Sequence, residues 1–168
     1  MGVLRVLRVA LPVLLGLRLY LVCTPAGMPI LWALANAKMG EREVLAAMLE
    51  VDADLLSERG TILLIADKGF AASAFEKDLD ELGITLLRPS RKREKKRFGE
   101  PMLKKVRQLI ESVNDTLKGQ LDLEFHGGRT CEGVAVRVAQ RVLAMAAAIW
   151  FNNLSGAPVT RSLIAFDH

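Results

Sequence analysis

An α/β domain is the fold class that three features of the chain predict. At 168 residues, with 51% of them apolar, it is long enough to bury one substantial core. Thr61 to Ala66 is an unbroken apolar and β-branched run, as expected of a strand covered on both faces. From Thr61 to Leu87 a strand, a helical pattern and another strand follow one another with connections short enough to require parallel pairing.

The elements can be taken in order. The opening residues, "MGVLRVLRVALPVLLGLRLYLV", place basic residues before the apolar run Val9 to Leu17. That resembles a secretory signal superficially. Arg18 closes the run, no small-x-small site follows, and the run is shorter than the ~20 apolar residues of a bilayer span. Leu17–Cys23 and Pro29–Leu34 read as strands joined through "TPAG". Glu41 to Glu50 has apolar residues at helical spacing, Val44, Leu45, Met48 and Leu49. Gly60 precedes the strand Thr61–Ala66. Ser73 is expected to cap a helix to Leu82, with Glu76 completing a capping box and Gly83 ending it. "ITLLRPS" is the next strand, and "RKREKKRFGEP" reads as a solvated basic loop. Two helices close the domain, about Met102 to Lys118 and Cys131 to Asn152, before an irregular tail.

Charge is concentrated rather than large. The chain carries +4 formally, yet Arg88 to Arg107 holds ten Lys or Arg against Glu94 and Glu100. Such a stretch suits a polyanionic partner. Two cysteines without CxxC spacing and two histidines are too few for a zinc site or a disulfide framework. Buried thiols in a reducing cytoplasm are expected for Cys23 and Cys131, and core or half-buried positions for Trp32 and Trp150.

Open α/β sheets place their sites at the carboxyl ends of parallel strands, where Asp67 stands. An Asp there also serves as an ordinary turn cap. Farther on, Leu103, Val106, Leu109, Ile110, Val113 and Leu117 form the apolar side of a helix. Arg107, Glu111, Asn114 and Lys118 form a polar stripe at spacings of three or four. An exposed stripe of charge pairs accounts for this; so does a carboxylate held among phosphates. Phosphoryl transfer on nucleic acid uses carboxylates that hold divalent cations, with Lys and Arg neutralising the strand. His126, in "EFHGGRT", reads as a loop histidine.

"LIADKGF", "LLRPSRKREKK" and "VRQLIESVNDTLKGQLDLEFHGGRT" together resemble the carboxyl-terminal half of bacterial insertion-sequence transposases of the DDE class. "GLRLYLVCTPAGMPILWALANAKMGERE" resembles the segment before it, so the likeness covers about Leu17 to His168. The family's D-[KR]-G-[YF] falls on Asp67 to Phe70, and its R-x3-E-x6-K on Arg107, Glu111 and Lys118. Lys104 stands where the fuller motif has a tyrosine.

The resemblance implies a ribonuclease H-like mixed sheet flanked by helices, with Asp67 and Glu111 as catalytic and metal-holding residues for Mg²⁺ or Mn²⁺. It implies DNA strand cleavage and strand transfer at insertion-sequence ends. Double-stranded DNA, both transposon ends and target, is the implied partner, a homodimer is admitted, and no membrane is involved. Arg91, Lys92, Arg93, Lys95, Lys96, Arg107 and Lys118 are the expected DNA contacts.

One departure shapes the remaining expectations. The family's first carboxylate lies on the opening strand, and "MGVLRVLRVALPVLL" contains no Asp or Glu; the first acid is Glu41. A truncated or frameshifted copy is therefore expected, with residues 1–16 a replaced segment, 17–154 a partial catalytic domain and 155–168 a tail. Its two-metal site would be incomplete and the chain inactive alone. The sheet would be incomplete at its first strand unless Val3 to Val9 takes that place. The alternative is a non-catalytic basic nucleic-acid-binding protein.

Overall fold

The computed structural model describes residues 2–9, 16–54, 60–97 and 99–157. Five strands form one sheet: β1 (Gly2–Val9), β2 (Leu17–Cys23), β3 (Pro29–Asn36), β4 (Ile62–Ile65) and β5 (Ile84–Leu87), in the order β3-β2-β1-β4-β5. The first three run antiparallel in a meander, with Leu19 opposite Leu34 and Val6 opposite Val22. β4 then lies parallel to β1, Arg5 beside Ile65, and β5 lies parallel to β4, Ile65 beside Leu87. The condition set by the sequence is met: Gly2–Val9 occupies the middle of the sheet and pairs on both sides, so that position is filled.

Among the described residues four α-helices cover the sheet: α1 (Glu41–Val51), α2 (Ser73–Glu81), α3 (Leu103–Asp115) and α4 (Cys131–Leu154). β2 shows why both faces need covering, since its five residues from Leu19 to Cys23 are all buried. Period-2 alternation sends Tyr20 and Val22 to one side and Leu19, Leu21 and Cys23 to the other. On the first side they join Leu64 and Leu86, under Val44 and Leu45 of α1 and Phe75 and Leu79 of α2. On the second they meet Val134, Val138, Val142, Met145 and Ile149 of α4. A smaller cluster on that side, Ile65, Leu87 and Val106, seats α3 over the ends of β4 and β5. Each fully buried aliphatic side chain contributes roughly 1.5–3 kcal/mol of transfer free energy.

The α1 helix, β4 and β5 fall where the sequence places them. Gly83 has φ +72°, the left-handed conformation that ends α2 without a Cβ penalty. The capping box does not form. The N-cap of α2 is Ala72, with no side-chain hydrogen bond, because the Glu76 carboxylate goes instead to Arg88 and Arg97. Cys23 is buried, but Cys131 is exposed, because it opens α4 outside the core. Trp150 is likewise exposed, on the side of α4 away from the sheet, and Trp32 is 39% exposed. The α4 helix is long and apolar enough by length and composition to cross a membrane. Its row from Val134 to Ile149 is instead spent on the sheet.

Candidate active site

β4 runs out at Ile65, and Asp67 follows as the second residue beyond the carboxyl end of the strand, after Ala66. A 3-10 turn, Lys68–Phe70, begins there, and the Asp67 Oδ1 accepts the Gly69 N–H at 2.6 Å. The carboxylate therefore does cap its turn, as the simpler reading of the sequence has it. That bond engages one oxygen and holds the side chain in place. Phe70 beneath is buried in the first core cluster, 6.4 Å from Phe75 between ring centroids. From the side, the Arg42 Nη1 donates to the carbonyls of Gly69 at 3.3 Å and Ala71 at 3.1 Å. The acid is exposed while the turn that carries it is anchored on three sides.

Glycine at 69 leaves room for two carboxylates that crowd the turn. A Cβ there would lie 2.8 Å from the Asp67 Oδ1 and 3.0 Å from the Glu41 Oε2. The same contact shows that Glu41, at the start of α1, comes to the turn of Asp67. Sequence reasoning passed over Glu41 because it begins a helix distant along the chain. No local signal marks the approach, which follows from α1 crossing to the carboxyl side of β4.

The α3 helix supplies the other half. Val106 packs on Ile65 and Leu87, with Leu103 and Ile110 beside it, and this seating turns the next residue, Arg107, toward the strand ends. Asp67, Lys68, Pro89 and Arg107 line one cavity of about 560 Å³. The Arg107 Nε donates to the Glu111 Oε1 at 3.0 Å, with the two side chains 81% and 57% exposed. So the structure brings Asp67 and Arg107 to one cavity and sets Glu111 one ion pair from it. Among the described residues no group of three or more His, Cys, Asp or Glu converges as a metal cage.

Lys118 departs from the stripe read off the sequence. After Asp115 the helix widens into a π turn, Thr116–Gln120, in which the Leu121 N–H reaches the Thr116 carbonyl at 3.0 Å. The wide turn breaks the 3.6-residue spacing, and the Lys118 ammonium pairs with Glu124 at 2.7 Å. His126 is buried; its Nδ1 accepts the Gly128 N–H at 3.0 Å.

The basic loop is not uniformly solvated, a correction to the reading from sequence. Arg88 is 4% exposed. Its guanidinium donates to Glu76 at 2.8 Å and to both Glu94 oxygens at 2.7 and 3.0 Å. Arg97 joins the same two acids at 2.6 and 2.9 Å. Burial opposes ionisation of Glu76, but the Arg97 and Arg88 hydrogen bonds outweigh it and hold its pKa below the ordinary value. The Arg88 hydrogen bond, helped by the Arg91 N–H and Arg97, holds Glu94 far below that value. The Ser90 N–H, opposed only in part by burial, similarly lowers Glu100. The loop is a folded, ion-paired structure, and Arg91, Lys92, Arg93, Lys95 and Lys96 are its exposed cations.

Residues 8–131 match the family model described as a transposase DDE domain. The chain belongs to that family. Its fold agrees. The catalytic core domain of BIV integrase superposes with a TM-score of 0.54 at 14% identity, over 86% of this chain and 82% of that one. A chain of the simian T-cell lymphotropic virus intasome, in complex with PP2A regulatory subunit B56 gamma, gives 0.51 at 15% identity. There the match covers 82% of this chain and 46% of the other. No curated protein matches the chain. The sheet order and the flanking helices of this transposase-family domain are those of the ribonuclease H-like fold, and DNA transposition is the activity of its family.

Proposed function

We propose that the domain meets DNA at the carboxyl ends of β4 and β5, with Asp67 and Glu111 as the carboxylates that hold a divalent cation, Mg²⁺ or Mn²⁺. The observation that carries this is the shared cavity: Asp67 and Arg107 line it, and Arg107 is paired to Glu111. The donor set suits a hard cation in kind. Both ligands are carboxylates, and the second Asp67 oxygen has no hydrogen-bond partner among the described residues. The exposed Arg107–Glu111 pair is worth roughly 0.3–0.5 kcal/mol, so Glu111 is released from it at little cost. When bound, such an ion supplies Lewis-acid activation of a phosphodiester and of the attacking water or hydroxyl. Arg107, with Lys118 and the loop cations Lys92, Lys95 and Lys96, neutralises strand phosphates.

In number the donors fall short of a two-ion site. β1, the neighbour of β4, reads "GVLRVLRV" and offers no acid beside Asp67. The isolated chain is therefore expected to bind one ion weakly and not to cleave or join insertion-sequence ends. A cytoplasmic location and a homodimer are part of the proposal. Its surface would be the outer side of α4, where exposed Val136, Leu143 and Trp150 recur every seven residues.

The test is thermal unfolding with and without Mg²⁺. Wild type should gain an EDTA-reversible stabilisation that Asp67→Asn and Glu111→Gln each abolish. Stabilisation that survives both substitutions removes the cation assignment. Salt-sensitive DNA binding without any ion effect would favour a non-catalytic nucleic-acid-binding protein. Strand transfer by the isolated chain at the rate of a relative with all three acids would refute the expected inactivity.

A further inference from the structure

A second cavity, of about 490 Å³, opens between the start of α2 and the loop after β5. Four guanidinium groups line it, Arg88, Arg91, Arg93 and Arg97, against two carboxylates, Glu76 and Glu94. The four have different roles. Arg88 and Arg97 are consumed by the two acids in the paired network already described. Arg91 is tethered through its Nη2 to the Ala71 carbonyl, and its own backbone N–H binds Glu94 at 2.9 Å. Its charge is left without a carboxylate partner among the described residues. Arg93 pairs with nothing among them, although it stands on the cavity wall.

This is the charge pattern of an anion receptor. Beside an ion-paired floor stand two further guanidinium groups that no carboxylate among the described residues neutralises, Arg91, which is tethered, and Arg93, which is not. The start of α2 adds to it. Ala72 cannot cap the first-turn amides, and the Glu76 side chain, which would ordinarily reach back to that end, is drawn to Arg88 and Arg97. Backbone N–H groups at an uncapped helix start favour a negative group. Ala71 ties the cavity to the site around Asp67, since its carbonyl accepts from both Arg42 and Arg91.

We infer that this cavity is a phosphate subsite for a nucleic-acid strand, in which Arg91 and Arg93 grip one backbone phosphate while the strand passes Asp67. The inference rests on the transposase reading and sharpens it. It separates the five exposed loop cations into two that contact a fixed phosphate and three lysines, Lys92, Lys95 and Lys96, that do not line the cavity. Planar guanidinium groups suit a fixed phosphate better than point charges do. The lysines contribute only to the diffuse field.

The full chain is titrated with a labelled 20-base-pair duplex at several salt concentrations, and separately with inorganic phosphate while backbone amide NMR shifts are followed. Arg93→Gln should weaken duplex binding several-fold and lower the salt slope by about one, the effect of one lost phosphate contact. Lys95→Gln, equally exposed, should change both less. The amides of Ser73 and Ala74 should move with phosphate and with duplex in wild type, and should not move in Arg93→Gln. Equal losses for Arg93→Gln and Lys95→Gln, or unmoved amides, would overturn the subsite. Amides that respond to inorganic phosphate but not to duplex would overturn the strand assignment and leave a free-phosphate site. Circular dichroism confirms that Arg93→Gln is folded, as expected for an unpaired surface residue. The Mg²⁺ effect at Asp67 is measured on the same samples. Its loss with the subsite intact would therefore fault the catalytic reading alone.

Discussion

Replacing Arg88 by alanine tests the reading of the basic loop most directly. The guanidinium is buried and bonded to two acids. Removing one member of a fully buried pair costs about 3–5 kcal/mol, because the partner is left charged and unpaired. Glu76 and Glu94 are 19% and 30% exposed and each keeps Arg97, so the loss should fall lower, at about 2–3 kcal/mol. For a domain of this size each kcal/mol shifts Tm by roughly 2–4 °C, which predicts a fall of about 4–12 °C. Arg107→Ala provides the contrast, since its pair is exposed on both sides and should cost under about 0.5 kcal/mol. Urea unfolding followed by circular dichroism measures both, with an unchanged m-value required for the comparison. If the two variants lose equal stability, the loop is not held by its ion pairs and the rigid floor of the phosphate cavity is lost with them.

Acid should undo the same network. Glu76 and Glu94 have lowered folded pKa values, so their contribution is complete above the ordinary value of 4.5 and disappears as pH falls through the lowered ones. Tm measured below pH 4.5 should therefore fall more steeply in wild type than in Glu76→Gln; parallel profiles would contradict this. Gly128→Ala should destabilise by about 1–3 kcal/mol through overpacking. A Cβ there would lie 2.7 Å from the Val134 nitrogen and 2.9 Å from the Gly133 carbonyl carbon, neither of which can move without shifting α4. A wild-type Tm for this variant would show that the loop does not pack as described. Val138→Ala, at a fully buried position between α4 and β2, should cost about 1–3 kcal/mol in urea unfolding from lost burial and the cavity left behind. A negligible change would remove α4 from the core.

Much of the fold was legible because its signals are local. Apolar runs with turn punctuation marked β2 to β5, and 3.6-residue spacing marked α1 and the buried face of α3. Asp67 could be singled out because a strand end followed by Lys-Gly is visible over four residues, and Glu111 because it shares a helix stripe with Arg107. Several features had no such signal. The sheet position of Gly2–Val9 depends on hydrogen bonding to two strands far along the chain, and basic residues within that run hid it. The helix register past Asp115 looked regular, yet a π turn carries Lys118 to Glu124.

The sequence by itself determined which segments become strands and helices, which faces they bury, and the residue types available for chemistry, since each follows from nearest-neighbour sterics and the periodicity of apolar side chains. Only the tertiary structure decided which charges are available to a ligand. Glu76 could cap a helix or pair with arginines, and the choice was made by β5 delivering Arg88 beside it. Folding thereby sorted a run of cations into two that brace the loop and others left exposed. It also carried Glu41 to the turn of Asp67. Charges are sorted by what burial brings within hydrogen-bonding distance, a matter of three-dimensional proximity that spacing along a chain does not encode.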